Sequence, residues 1–133
     1  MDDEGPIRVA IVDDHLMVRR GLAIFLDAFE DMMLVGETSS GREAVTICAT
    51  VEPHVMLIDL MMPDMSGIAA IKEVHDAYPH VQIVAMISLQ QTDMVGAALR
   101  AGAVGHLVKH TSIDEIAQVI RVAYKGKPSQ STA

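Results

Sequence analysis

Five short apolar runs, none alternating polar with apolar residues, constrain this chain more than any other feature. They lie at Ile7–Val12, Met32–Gly36, Val55–Ile58, Val81–Ile87 and Val104–Val108. A strand with one wet face alternates; a strand buried on both faces reads as a continuous apolar run, and that needs helices above and below the sheet. Helix-period patterns fill the intervals, roughly over 15–30, 41–50, 66–77, 91–101 and 112–125. Ser40-Gly-Arg-Glu43 and Ser112-Ile-Asp-Glu115 read as capping boxes. Gly102 and Gly126 follow helical patterns, and Pro53 and Pro79 stop two others. Strand–helix alternation repeated five times predicts a doubly wound α/β domain with a parallel sheet and helices on both faces.

Composition excludes several classes. At 133 residues, half of them hydrophobic, the chain suits one domain burying roughly 65–70% of its unfolded surface, not a disordered segment. No apolar run approaches the ~20 residues of a membrane-spanning helix. The start, Met-Asp-Asp-Glu-Gly-Pro, is acidic where a secretory signal is basic and then apolar, and Cys48 is the single cysteine; both predict a cytoplasmic protein. Ten basic against eighteen acidic residues give a net charge of −8. That disfavours nucleic acid as a direct partner and favours cations and basic surfaces; the plain alternative is that the charge only keeps the domain soluble. Residues 1–6 read as an acidic tail and 126–133 as a linker, with the domain between them at 7–125. The linker composition predicts a domain cut from a longer protein.

In folds of this kind ligands bind at the carboxyl ends of the strands. Strand 1 ends in Asp13-Asp14, strand 3 in Asp59, strand 4 in Ser88 and strand 5 in Lys109; strand 2 ends near Glu37, on the far side of strand 1. Three crowded carboxylates repel one another unless a cation resolves them. Oxygen ligands without His or Cys indicate a hard ion, and Mg²⁺ fits. Such an ion, a lysine and a hydroxyl together suit the neutralisation of a phosphoryl group. A facing carboxylate then serves as the nucleophile. Position on the central strand favours Asp59.

These segments also carry a resemblance. Ile11-Val-Asp-Asp-His-Leu-Met-Val-Arg-Arg-Gly-Leu22 resembles the first strand and helix of a response-regulator receiver domain of the LuxR/NarL type. Leu57-Ile-Asp-Leu-Met-Met-Pro-Asp-Met-Ser-Gly67 resembles the phosphoacceptor strand and its loop, and Ala101-Gly-Ala-Val-Gly-His-Leu-Val-Lys109 the last strand. The resemblance implies a flavodoxin-like five-stranded sheet in the order 2-1-3-4-5. It implies phosphorylation at Asp59, with Asp14 as direct Mg²⁺ ligand, Asp13 acting largely through water, and the Met61 backbone carbonyl completing the metal shell. Ser88 matches the switch hydroxyl and Lys109 the phosphoryl-contacting lysine. His106 stands where many receivers carry the aromatic switch ring. His110 follows Lys109 where many have proline and often a cis peptide; without proline that bond would cost about 3 kcal/mol. Met61 and Gln90 occupy positions that tune the phosphoryl lifetime in the family. The implied partners are a sensor histidine kinase and, beyond the linker, a helix-turn-helix DNA-binding output domain. The chain would be no enzyme beyond self-catalysed phosphoryl transfer and autodephosphorylation.

Rival readings compete with this one. An aspartyl phosphatase needs a second aspartate where Met61 stands. An FMN carrier would place its phosphate beside Asp13-Asp14, which would repel it. A phosphorylation-independent pseudo-receiver for docking or dimerisation would not need the full acid, hydroxyl and lysine set. His106 and His110 flank a strand end, not a helix face, which argues against zinc. Gly102-x-x-Gly105 is too short for a dinucleotide fingerprint. The ten methionines read as core filler, with Met61, Met62 and Met65 expected to be partly exposed beside Asp59. On helix 1 the stripe Val18, Leu22, Phe25, Leu26 and Phe29 faces the core, with Met17 and Ile24 outside it; on helix 5 Val122 joins the polar face of Asp114, Glu115, Gln118 and Arg121. Such extra apolar positions point to a homodimer through helices 1 and 5, or 4 and 5.

Overall fold

The computed structural model describes residues 5–126. Most of the expected tail and linker lies outside them. The elements run β1 (Ile7–Val12), α1 (Leu16–Asp27), β2 (Met32–Thr38), α2 (Glu43–Val51), β3 (Val55–Asp59), α3 (Gly67–Ala77), β4 (Gln82–Ile87), α4 (Val95–Ala101), β5 (Gly105–Val108) and α5 (Ile113–Lys125). The strands form one sheet in the order β2-β1-β3-β4-β5, and every neighbouring pair is parallel.

The continuous apolar runs arise from two cores, one on each face. Ala10, Val12, Met56, Ile58, Ile83, Ala85 and Ile87 pack under α2, α3 and α4 with Ala44, Cys48, Ala70, Ile71, Val74 and Ala98. The alternate residues Val9, Ile11, Val55, Leu57, Val84 and Met86 pack under α1 and α5 with Leu22, Phe25, Leu26, Ile116 and Ile120. Side chains of a strand point alternately up and down, so both sets must be apolar. Each fully buried Val, Leu, Ile, Phe or Met contributes about 1.5–3 kcal/mol of burial. This two-sided packing fixes the strands in depth and sets their carboxyl ends at one edge.

Two local expectations are corrected. Ser40 and Glu43 form no capping box. The loop after β3 supplies Asp64 instead, whose carboxylate accepts from the Ser40 hydroxyl at 2.6 Å and from the Gly41 and Arg42 N–H groups at 3.2 and 3.4 Å. Glu43 turns to Thr38, whose hydroxyl donates to it at 2.7 Å. This carboxylate holds the turn just before α2, whose N-cap Arg42 makes no side-chain capping bond, and local spacing cannot reveal it. The helix expected from residue 91 starts as a 3₁₀ segment at Leu89–Met94 and turns α-helical only at Val95. There the Gln91 side chain accepts from the Ser88 N–H at 2.8 Å, and Gln91 itself departs from helical geometry with φ −110°. The other end signals stand: Ser112 caps α5 by accepting from the Glu115 N–H at 3.2 Å, Gly126 is the C-cap of α5 with its N–H donating to the Val122 and Ala123 carbonyls at 3.1 and 3.2 Å, and Gly102 closes α4 at φ 132°.

Candidate functional site

β1 and β3 are adjacent in the sheet, so their ends bring Asp13 and Asp59 together. Of the described residues, only Asp13, Asp59 and Gln82 are buried polar side chains. Gln82 is satisfied by the carbonyl of Ala123, to which its amide donates at 3.0 Å. The two aspartates are not equally satisfied. Asp59 Oδ1 accepts from the Met61 N–H at 3.2 Å, and Asp13 Oδ1 accepts from the His15 N–H at 2.8 Å. Asp13 Oδ2, Asp14 Oδ1 and Asp59 Oδ2 are buried and accept no hydrogen bond. Lys109 extends from the end of β5 to within ion-pair distance, its Nζ 3.0 Å from Asp13 Oδ2 and 3.2 Å from Asp59 Oδ2.

Burial, followed by the charge of Asp13, pushes the Asp59 carboxyl up to about 6, although Lys109 and the Met61 N–H pull the other way. One lysine therefore under-compensates the acids. Buried carboxylates cost free energy until opposite charge compensates them, and the single ammonium of Lys109 is shared between two. Ligand atoms of Asp13, Asp14, His15 and Asp59 all lie within 4.8 Å of one another. The residues present thus fit a divalent cation.

His15 is the site residue that strand-end reasoning missed. Its Nδ1 lies 2.9 Å from Asp13 Oδ1, 3.4 Å from Asp14 Oδ1 and 3.7 Å from Asp59 Oδ2. It adds a nitrogen to a set read as oxygen only. The available signal was its place directly after the acidic pair. Arg19 was missed as well: it donates to the Asp13 carbonyl at 2.6 Å and to Glu37 at 2.8 Å, tying α1 and β2 to the Asp13 turn.

The other expected site residues lie further out. Ser88 directly follows β4 and shares a groove with Lys109. Its hydroxyl makes no hydrogen bond to the acids among the described residues. Met61 follows the acids with its side chain 57% exposed, whereas Met62 is buried. His106 is exposed on the edge strand β5. The Lys109–His110 peptide is trans, since the described residues hold no cis bond, and His110 takes a left-handed φ of 71°.

Gly67 completes the frame. A Cβ there would meet the Asp59 carbonyl oxygen at 2.2 Å and Leu60 Cα at 2.4 Å. Only glycine lets the start of α3 sit on the backbone that carries Asp59.

Comparison with known proteins agrees with this geometry. Residues 9–121 match the model of the response regulator receiver domain, and the chain belongs to that family. It is 42% identical over 122 residues to the transcriptional regulatory protein LiaR of Bacillus subtilis, covering 92% of this chain and 58% of that protein. It is 37% identical over 121 residues to the response regulator VraR of Staphylococcus epidermidis, with 91% and 58% covered. The chain therefore spans less than two thirds of these relatives. Among solved structures, the receiver domain of NarL from Mycobacterium tuberculosis superimposes with a TM-score of 0.86 at 28% identity, covering 92% of this chain and 99% of that one. The response regulator domain of Thermotoga maritima CheB gives 0.85 at 31% identity, with the same coverage. The sequence relatives are thus LuxR/NarL-type regulators, and the flavodoxin-like fold is shared.

Proposed function

We propose that this domain accepts a phosphoryl group on Asp59 from a sensor histidine kinase and uses it to switch a transcriptional output domain. The single observation that carries the reading is the unsatisfied acidic pocket itself, with Asp59 Oδ2 buried, without a hydrogen bond and 3.2 Å from Lys109. The Met61 N–H holds Oδ1, which leaves Oδ2 as the nucleophilic oxygen. It attacks phosphorus, an O–P bond forms, and the P–N bond of the donor phosphohistidine breaks. The imidazole leaves with the bonding pair and takes a proton from solvent. Asp13, Asp14, Asp59 and the Met61 carbonyl would hold Mg²⁺, which when bound supplies positive charge for the phosphoryl oxygens. Lys109 balances the charge of the new acyl phosphate from the other side.

Ser88 is the hydroxyl that turns toward the phosphoryl group. Its present ties run to Gln91 through the backbone, so its movement would shift the 3₁₀ segment and α4. That is a two-state element biased by a local charge change. His106 follows as the exposed switch position on β5. The setting is cytoplasmic, and contact with DNA belongs to an output domain beyond the 126–133 linker. Association of two copies through α1 and α5, or α4 and α5, is part of the same reading. Exposed Met17, Ile24 and Val122 support it, and sedimentation velocity before and after phosphorylation tests it.

The reading is tested by intact mass after incubation with Mg²⁺ and acetyl phosphate. One added phosphoryl group is expected, absent from Asp59→Asn and from a metal-free sample. No adduct, under conditions that label another receiver, would favour the phosphorylation-independent docking module.

A further inference from the structure

The loop between β3 and α3, residues 60–66, carries Met61, whose N–H holds Asp59 Oδ1 at 3.2 Å. The base of this loop is closed. The Gly67 N–H donates to the Leu60 carbonyl at 3.0 Å, and the Leu60 N–H donates to the Met86 carbonyl of β4 at 3.2 Å. Its outer half leans on the turn before α2. Asp64 is exposed, yet its carboxylate accepts from three donors of that one turn: the Ser40 hydroxyl at 2.6 Å and the Gly41 and Arg42 N–H groups at 3.2 and 3.4 Å. Beside it Gly41 is buried. A Cβ there would come within 3.0 Å of the Met65 carbonyl oxygen and 3.2 Å of Met62 Cε. The turn is itself tied to the strand ends. Thr38 Oγ1 accepts from the Ser40 N–H at 3.2 Å, and the Thr38 carbonyl accepts from the Asp13 N–H at 3.0 Å. A chain of contacts thus runs from Asp13 through Thr38, Ser40 and Asp64 into the loop that returns to Asp59. Both N–H groups that Asp64 holds precede Glu43, the first residue of α2, so helix capping does not account for them.

We propose that Asp64 is a positioning residue for the phosphoacceptor pocket: by clamping the 60–66 loop to the 40–42 turn, it fixes the Met61 peptide group beside Asp59. The proposal rests on the reading of the pocket as a Mg²⁺-assisted phosphoacceptor. The partners of Asp64 lie in the turn and not among the acids, so it acts through the loop alone. The Met61 N–H holds one Asp59 oxygen, and on that reading its carbonyl meets the cation. Both depend on where this one stretch of backbone sits. A loop already held in place loses little freedom when a ligand binds, whereas a loose loop must be ordered at the expense of affinity. The consequence falls on local opening of the loop and on Mg²⁺ affinity, not on the fold as a whole.

Hydrogen exchange in EDTA and a thermal-shift titration with Mg²⁺ test this on the wild type, Asp64→Ala, Asp64→Asn and Ser40→Ala. In Asp64→Ala the amides of 60–66 should exchange at least about tenfold faster, while those of β1 and β3 keep their protection. Its Mg²⁺ dissociation constant should rise about fivefold or more. Asparagine removes the charge but keeps an oxygen for the N–H groups and an amide for the Ser40 hydroxyl, so Asp64→Asn should stay within about twofold of the wild type. Ser40→Ala should fall between, and should add nothing to Asp64→Ala in the double variant. Equal losses in the alanine and asparagine variants would make the effect one of charge. Exchange rising alike across the domain would make it one of global stability. Either result, or an Asp64→Ala variant that matches the wild type, overturns the proposal. Wild-type Mg²⁺ binding and acetyl phosphate labelling report separately on the pocket. If the wild type shows neither, the phosphoacceptor reading falls; if it shows both while Asp64→Ala matches it, only the clamp falls.

Discussion

Replacing Asp59 by asparagine should stabilise the metal-free protein at neutral pH, and the gain should vanish in acid. Asp59 is 1% exposed. Burial first, then the Asp13 charge, raise its carboxyl from 3.8 to about 6, with the pull of Lys109 already included. In the unfolded chain the group ionises at its ordinary value. The folded value is the higher one, so ionisation opposes folding. Above pH about 6 the carboxyl is charged in both states and the whole penalty stands. As pH falls from about 6 toward 3.8 the folded protein takes up a proton that the unfolded chain does not, and the penalty disappears. At about 1.4 kcal/mol for each tenfold change, the penalty is roughly 3 kcal/mol. Asparagine retains the shape and can still accept from the Met61 N–H. Urea unfolding in EDTA should show Asp59→Asn more stable by about 2–3 kcal/mol near pH 7.5 and within about 0.5 kcal/mol near pH 3.5. A variant no more stable than wild type at pH 7.5, or a gain that persists undiminished into acid, would refute the reasoning.

Other expectations follow from the same pocket. Lys109→Met removes a cation 3.0 and 3.2 Å from two buried carboxylates; it should cost about 3 kcal/mol near neutral pH, measured by urea unfolding, with part of the loss restored by Mg²⁺. Gly67→Ala puts a Cβ 2.2 Å from the Asp59 carbonyl oxygen, so the Asp59–Leu60 backbone must move. Thermal unfolding should show a loss above about 2 kcal/mol, and phosphorylation by acetyl phosphate should slow even where the variant is folded. Mg²⁺ at about a hundred times its dissociation constant should stabilise the wild type by about 2.7 kcal/mol, and Asp13→Asn by much less, read by thermal shift. At low Mg²⁺ the rate of phosphorylation should fall as pH drops through about 6, where Asp59 takes up a proton; stopped-time intact mass gives the profile.

The fold was legible because two-sided burial leaves a plain mark. Val9 and Ala10, neighbours in β1, enter different cores, so both must be apolar, and the run is visible without any partner. Asp13, Asp14, Asp59 and Lys109 were legible because a parallel sheet gathers its strand ends at one edge. What escaped reading depends on contacts between segments far apart in the chain. Asp64 ties the turn before α2 across 22 or more residues, so the Ser40 spacing suggested a cap where a distant loop holds the chain instead. The kinked 3₁₀ entry to α4 depends on one side chain, Gln91, accepting from Ser88. His15 lay outside the strand ends, and only the turn after β1 carries its ring back over the acids. The outward positions of Met17, Ile24 and Val122, all at least 60% exposed, followed directly from helical periodicity.

The most direct test is peptide mapping of the phosphorylated protein. After incubation with Mg²⁺ and acetyl phosphate, the Asp59 acyl phosphate can be reduced with borohydride and located by mass spectrometry. A single modified residue at Asp59, lost on chelation of the metal, is the predicted result. Modification at another acidic residue, or equal labelling without metal, would contradict the assignment of this pocket as a metal-assisted phosphoacceptor.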